Sequence, residues 1–146
     1  MTVIAWDGKT LSADKQAVSG GYGQTVTKIF KLCGELYGFA GNAGHAAALV
    51  VWFNNGAIIE NWPEPSDKED VANFIVITKD GQIREYEGGA CGYYDIVEDR
   101  FTAMGSGRDY ALAAMYLGQD SRTAVEVACA LDINCGKGID TLTLKD

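Results

Sequence analysis

Apolar and β-branched residues occur in short runs along most of this chain, and runs of this kind predict strands. The predicted strands cover Thr2–Trp6, Thr10–Ala13, Thr25–Leu32, Leu36–Ala40, Ala72–Lys79, Gln82–Glu87 and Ile139–Leu144, with one or two more within Cys91–Met104. The dipeptides Asp7-Gly8 and Asp80-Gly81 are strong hairpin-turn signals. Cys33-Gly34-Glu35 is a further predicted turn between two strands.

Longer stretches with an alanine-rich or helical pattern interrupt the strands. The predicted helices are Ala43–Phe53, Arg108–Leu117 and Ser121–Leu131. Asn54-Asn55-Gly56 and Gly118 are helix stop signals, and Ser121 is a suitable N-cap. Residues 57–70, which contain both prolines, and the glycine-rich residues 19–23 predict loops. Because strands and helices fall into separate blocks, the sequence predicts an α+β fold with antiparallel sheets, not a parallel βαβ fold.

Composition and charge narrow the class of protein. The chain has 146 residues, of which 47% are hydrophobic and 22% charged, so it predicts a single domain, 1–146, with a sizeable core. The 12 Lys and Arg are outnumbered by 20 Asp and Glu, which gives a net charge of −8. This balance lacks the basic footprint of a protein that binds nucleic acid or an anionic membrane.

The remaining composition points to a reduced compartment. No run approaches the roughly 20 apolar residues that span a bilayer, and the N-terminus has no secretory signal pattern. The cysteines, Cys33, Cys91, Cys129 and Cys135, match no zinc or redox spacing, so we expect reduced thiols in a cytoplasm. The lone histidine, His45, excludes a site that needs two histidine ligands, and we expect neither a metal nor a cofactor.

The second residue is the first candidate for chemistry. Removal of Met1 would make Thr2 the N-terminal residue, and its free α-amine could then act as a base for its own hydroxyl. Such an amine has an unperturbed pKa of about 7.7–8.0, which a nearby lysine would lower further. A retained Met1 would acylate this amine and abolish the base. Taken alone, Thr2 is also consistent with an ordinary small second residue.

Further segments follow in a fixed order. They are Ser12-Ala13-Asp14-Lys15-Gln16-Ala17, Lys28-Ile29-Phe30-Lys31-Leu32, Gly38-Phe39-Ala40-Gly41-Asn42-Ala43-Gly44, Met104-Gly105-Ser106-Gly107 and Asp132-Ile133-Asn134-Cys135-Gly136-Lys137-Gly138-Ile139-Asp140. In this order they resemble the proteasome β subunits and their bacterial relative, the HslV peptidase, over nearly the whole chain. The resemblance implies a compact version of the four-layer αββα sandwich of antiparallel sheets found in N-terminal-nucleophile hydrolases.

The resemblance also implies roles for individual residues. Thr2 would be the nucleophile, Lys28 would tune its amine, and Asp14 would hold that lysine. Gly41 would supply a backbone N–H to an oxyanion hole. Judged by residue type alone, however, Asp14 and Lys28 are more often surface charges, and Gly41 is equally consistent with a packing or capping glycine.

Four further positions complete the implied site. Ser106 and Asp132 would orient the terminal amine, although Gly105-Ser106-Gly107 before a helix is also consistent with an anion-binding loop. Phe39 and Ala43 would line the pocket for the residue before the cleaved bond, and the bulk of Phe39 would narrow it.

Three features depart from the resembled family. Cys135 stands where a serine usually helps to hold the terminal amine, and a thiol is a poorer hydrogen-bond partner than a hydroxyl. His45 replaces an acidic residue, and this change is expected to affect mainly the choice of substrate. His45 itself is expected to have a structural role and not a catalytic one. The stretch between the first helix and Phe74 leaves little room for a second long helix, so ring assembly is expected to differ.

The sequence therefore supports three functions. The first is a threonine-type peptidase that hydrolyses polypeptides within a homo-oligomeric ring, with an ATP-dependent unfoldase as the expected partner. The second is a catalytically inactive, proteasome-like structural or assembly protein, which the substitution at Cys135 favours. The third is an amidase of the same broad superfamily that acts on a small molecule.

Overall fold

The computed structural model describes residues 1–87 and 91–145, and in these residues strands and helices alternate in blocks. The strands are β1 (Ile4–Trp6), β2 (Thr10–Asp14), β3 (Gln16–Ser19), β4 (Tyr22–Thr25), β5 (Ile29–Leu32), β6 (Glu35–Gly41), β7 (Ala72–Ile77), β8 (Ile83–Tyr86), β9 (Asp95–Val97), β10 (Thr102–Met104) and β11 (Ile139–Thr143). The helices are α1 (Ala43–Asn54), α2 (Arg108–Tyr116) and α3 (Ser121–Leu131), with one 3-10 turn at Ile59–Asn61. None of the helices in the described residues is both long and apolar enough to cross a membrane.

The strands form two main sheets and one separate hairpin. The first sheet has the order β10-β1-β2-β11 and the second the order β5-β6-β7-β8-β9, while β3 pairs with β4 and with no other described strand. Every described pairing is antiparallel. The predicted α+β class with antiparallel sheets is therefore confirmed.

Successive side chains of a strand point to opposite faces of the sheet, and the buried side chains therefore fall into three clusters. In β1, Ile4 and Trp6 face the second sheet, whereas Ala5 packs against α2 and α3. In β6, Leu36 faces the first sheet and Tyr37 packs against α1. Full burial of each large apolar side chain contributes about 1.5–3 kcal/mol, so this two-sided pattern fixes the register of the central strands.

Two helices pack on the first sheet and one on the second. The cluster between α2, α3 and the first sheet consists mostly of alanine, which lets the helices approach the strands closely. Asp120, and not the predicted Ser121, is the N-cap of α3, because its carboxylate accepts the Thr123 N–H at 2.8 Å. Ser121 is instead buried, with its Oγ 2.8 Å from Ser12 Oγ. The predicted stop at Gly118 is confirmed by its φ of +92° directly after α2.

The segment from Gln16 to Leu32 differs most from the prediction. The predicted loop at residues 19–23 is a tight hairpin in which Ser19 pairs with Tyr22, since Gly20 and Gly21 both have positive φ (+55° and +78°). The predicted strand Thr25–Leu32 is interrupted, because β4 ends at Thr25 and β5 begins at Ile29. Lys28 therefore lies in a connection, not within an exposed strand.

Candidate active site

Thr2 is fixed by the connection between β10 and α2. Its N–H donates to Ser106 Oγ at 3.1 Å, and its carbonyl accepts the Gly107 N–H at 3.1 Å. The connection approaches so closely that a Cβ on Gly105 would lie 2.1 Å from Thr2 O, so only glycine fits there. Thr2 is only 7% exposed. The sequence analysis did not assign this structural role to Gly105.

Asp14 lies at the end of β2 and is completely buried. Its Oδ1 accepts hydrogen bonds from the Val3 N–H (3.1 Å) and from Lys28 Nζ (2.7 Å). Its Oδ2 accepts the N–H groups of Gln16 (3.3 Å) and Gly136 (3.1 Å). A buried carboxylate is tolerated only with such partners, and here they come from four separate parts of the chain.

Lys28 connects this carboxylate to Thr2. Its side chain is 4% exposed, and its Nζ donates to Asp14 Oδ1 (2.7 Å), Thr2 Oγ1 (3.1 Å) and Met1 O (3.3 Å). These three acceptors use all three ammonium protons. The interpretation of Asp14 and Lys28 as surface charges is therefore wrong, because both side chains are buried and paired.

A second series of hydrogen bonds reaches the nitrogen of Thr2. Ser106 Oγ donates to Asp132 Oδ2 at 2.7 Å and accepts the Thr2 N–H. Hydrogen bonds from the Asn134 N–H and from Ser106 hold the pKa of Asp132 below its usual range. Burial raises the pKa of the Cys135 thiol to about 12, so the thiol stays neutral, with its Sγ 3.5 Å from Asp132 Oδ2. Cys135 thus remains a long, weak donor to this carboxylate.

Gly41 is the last residue of β6 and lines the same cleft as Thr2. Its φ is +97°, and a Cβ there would lie 2.3 Å from Val71 O, so the position requires glycine. The next N–H, of Asn42, faces β7 and donates to Val71 O at 3.2 Å. Because successive N–H groups of a strand point to opposite edges, the Gly41 N–H faces the edge on which the Phe39 N–H meets Lys28 O at 3.1 Å. It is therefore directed toward the side of β6 on which Lys28 lies.

A cleft of about 720 Å³ opens beside Thr2 and Gly41. Phe39 and Ala43, for which the resemblance implies contact with substrate, are among the residues that line it. Ala47 and Val50 extend the same wall, because residues four and seven positions after Ala43 share one face of α1. That spacing was a sequence signal for both residues. The β3–β4 hairpin forms much of the opposite wall, which the prediction of a loop did not anticipate.

His45 lies outside this cleft. Its ring is buried, with Nδ1 accepting the Ala72 N–H at 3.0 Å and Nε2 donating to Pro63 O at 3.0 Å. These bonds tie α1 to the start of β7, so the structural interpretation of His45 is confirmed. The described residues that line the cleft do not include His45, which gives no support to an influence on substrate choice. Within the described ranges, no group of three or more His, Cys, Asp or Glu side chains could hold a metal ion.

Comparison with known proteins identifies the structural class of the fold. No protein-family model and no curated protein matches the sequence. Among solved structures, eukaryotic HslV from Trypanosoma brucei has 22% identity and a TM-score of 0.70, with 97% of each chain covered. BPH of Thiobacillus denitrificans has 19% identity and a TM-score of 0.72, covering 99% of this chain and 98% of that one. The same protein in complex with epoxomicin also matches, at a TM-score of 0.69.

A further match is the Gly-1 mutant of Anbu from Hyphomicrobium sp. strain MC1, with 14% identity and a TM-score of 0.71. It covers 98% of this chain and 81% of that chain. At these identities the likeness concerns the fold. This chain has an HslV-type, proteasome-like fold, as the order of its motifs indicated.

Proposed function

We propose that this chain is a threonine-type peptidase of the proteasome and HslV kind, which hydrolyses peptide bonds with Thr2 after Met1 is removed. One observation carries the proposal: Lys28 Nζ lies 3.1 Å from Thr2 Oγ1 while it is bound at 2.7 Å to the buried carboxylate of Asp14. A buried ammonium beside a hydroxyl stabilises the alkoxide that forms as the hydroxyl attacks. Asp14 holds that ammonium in position beside the hydroxyl.

The base in this mechanism is the α-amine of Thr2. While Met1 is attached, the Thr2 nitrogen is an amide and has no lone pair available for a proton. In the structure with Met1 attached, Ser106 Oγ lies 3.1 Å from the Thr2 nitrogen. Once Met1 is removed, the same contact lets Ser106 and Asp132 orient the free amine. The Lys28 ammonium lowers the pKa of this amine by like-charge repulsion, which favours the neutral form near pH 7.

Peptide cleavage then proceeds in two steps. The amine takes the Oγ1 proton as Oγ1 bonds to the scissile carbonyl carbon, and the resulting ammonium gives that proton to the leaving amine when the C–N bond breaks. The product is an ester on Thr2. A water molecule then attacks the ester with the same amine as base, which releases the acid and restores the hydroxyl. No metal or cofactor is required.

Gly41 is proposed to stabilise the oxyanion of both steps with its N–H. Phe39 and Ala43 are proposed to contact the side chain that precedes the cleaved bond. Since Ala43 and Ala47 are small and Val50 is apolar, the wall they form favours an apolar side chain.

The assembly is also a proposal. Contacts of α2 and α3 with the first sheet, of the two sheets with each other, and of α1 with the second sheet support a four-layer αββα sandwich. We expect residues 1–146 to form one domain that assembles as a homo-oligomeric ring around the site. In a cytoplasm, such a ring would receive unfolded polypeptide from an ATP-dependent unfoldase.

One observation favours the alternative of an inactive structural or assembly protein. Cys135 Sγ lies 3.5 Å from Asp132 and 3.9 Å from Ser106 Oγ, so it contributes little to the orientation of the amine. An inactive protein would keep the fold but would not react with electrophiles that trap an N-terminal threonine.

The test combines intact mass with covalent labelling. Protein whose mass lacks Met1 is treated with epoxomicin, a peptide epoxyketone, and we expect one adduct and cleavage of unstructured peptides. Thr2→Ala should give neither, whereas Thr141→Ala, which alters an exposed threonine of β11, should give both. Cleavage by Thr2→Ala at the parent rate would refute the mechanism. A Met1-free protein that neither labels nor cleaves would support the structural alternative.

A further inference from the structure

The charged side chains that line the cleft differ in whether an opposite charge lies beside them. Apart from the chain terminus, the charged residues among those that line it are Lys28 and Asp70. The charge of Lys28 is balanced by Asp14 at 2.7 Å. Asp70 is exposed, and none of the ion pairs found among the described residues includes it. The cleft therefore presents one uncompensated negative side chain.

The carboxylate of Asp70 is held in place by an oriented amide. Asn42 Oδ1 accepts the His45 N–H at 2.8 Å as the N-cap of α1, which leaves its Nδ2 facing away from the helix. That Nδ2 donates to Asp70 Oδ2 at 2.8 Å. Asn42 directly follows Gly41, so this hydrogen bond links the carboxylate to the residue next to the proposed oxyanion donor, and all three residues line the cleft.

The loop that carries Asp70 adds to the negative field. Within residues 62–70 there are four acidic side chains and one basic one, so the loop has a net charge of −3. The five are exposed and comprise Glu64, Asp67, Lys68, Glu69 and Asp70. The whole chain carries −8. Such a field attracts cationic segments and repels acidic ones.

We propose that Asp70 determines substrate specificity by selecting polypeptides with a lysine or arginine close to the cleaved bond. Successive side chains of an extended peptide point to opposite sides, so a basic residue can meet Asp70 while its neighbour contacts the apolar wall of α1. This inference rests on the proposed function for its biological meaning. Its binding component, however, can be measured without any turnover.

The binding experiment uses the full chain carrying Thr2→Ala, which prevents cleavage. A fluorescein-labelled apolar peptide is scanned with a single lysine, and at each position lysine is compared with norleucine and glutamate by fluorescence anisotropy at low salt. At the best position we expect lysine to bind about two- to five-fold more tightly than norleucine, as for an exposed ion pair, and glutamate to bind more weakly.

Matched variants separate a local contact from net charge. Asp70→Asn should abolish the preference for lysine, whereas Asp80→Asn, at an exposed turn outside the cleft, makes the same change in charge and should preserve it. The inference is overturned if lysine and norleucine bind equally, if Asp70→Asn keeps the preference, if Asp80→Asn loses it equally, or if no peptide binds.

Turnover by the Met1-free parent chain distinguishes this inference from the proposed function. If lysine is preferred in binding through Asp70 but no peptide is cleaved and epoxomicin does not label, the specificity inference stands and the peptidase proposal fails. If peptides are cleaved with a kcat/KM that does not depend on lysine or on Asp70, the peptidase proposal stands and the inference fails.

Discussion

Replacement of Lys28 by methionine tests the central contact of the site, because methionine keeps an unbranched apolar side chain but removes the ammonium. The change leaves the Asp14 carboxylate fully buried without a counter-ion. Removing one partner of a buried ion pair costs about 3–5 kcal/mol. Three backbone N–H donors remain on Asp14, from Val3, Gln16 and Gly136, so we expect the lower end, about 3 kcal/mol.

The assay is urea unfolding at pH 7, followed by tryptophan fluorescence, with peptide cleavage measured on the same preparations. The double variant Asp14→Ala/Lys28→Met removes both charges and should be destabilised by less than the sum of the single variants, with a coupling of about 2–3 kcal/mol. This variant keeps the test informative even if Lys28→Met does not fold. Cleavage should be lost in all three variants, since each removes the charge beside Thr2 Oγ1 or its support.

A surface pair provides the control for Lys28→Met. Arg122 and Glu126 lie four residues apart on α3 at 3.5 Å, with both side chains more than half exposed. Arg122→Met should change the free energy of unfolding by less than about 0.5 kcal/mol. A Lys28→Met variant within about 1 kcal/mol of the parent would refute the argument that burial makes this pair essential.

Three further changes test other parts of the molecule. Gly41→Ala sets a Cβ 2.3 Å from Val71 O, so denaturation should show a larger loss of stability than for Gly56→Ala, which has a similar φ of +94° and no atom within 4 Å. Asp120→Ala removes the N-cap of α3 and should cost about 1 kcal/mol at pH 7. Hydrogen bonds within the first turn of α3 lower the pKa of Asp120, so this stabilisation is present above its unfolded pKa and is lost as the pH falls through its folded pKa, where parent and variant should converge. Burial raises the pKa of Cys135 to about 12, so iodoacetamide at pH 8 should alkylate it only after unfolding, and rapid alkylation of the native protein would contradict this.

The strands and helices followed from local patterns, since each depends on residues near in sequence. The hairpin of β1 and β2 around Asp7-Gly8 is an example, with Ile4 opposite Ala13 as the turn requires. The hairpin of β3 and β4 differs from the predicted loop because glycine and serine are typical of loops, whereas Gly20-Gly21 here forms a two-residue turn.

The candidate site could not be predicted from the types of its residues alone. Asp14 and Lys28 are ordinary surface residues by type, and only the order of several motifs indicated otherwise. The burial of Asp14 depends on backbone donors at Gln16, which is nearby in sequence, and at Val3 and Gly136, which are farther along the chain. Asp70 was missed for a similar reason, since its position at the cleft depends on the orientation of the Asn42 amide.

Two series of hydrogen bonds meet at Thr2, one through Lys28 and Asp14 and one through Ser106 and Asp132, and they provide different tests of function. Asp14 joins the start of β1, the end of β2 and the segment after α3, so Asp14 and Lys28 would also stabilise an inactive protein. Ser106 is exposed, and its Oγ connects the Thr2 nitrogen to Asp132. Ser106→Ala should therefore leave urea unfolding nearly unchanged while lowering kcat and changing the pH profile of cleavage if the amine is a base. An unchanged pH profile would show that Ser106 has no part in orienting the base, a question that variants of the buried pair cannot answer because they also lower stability.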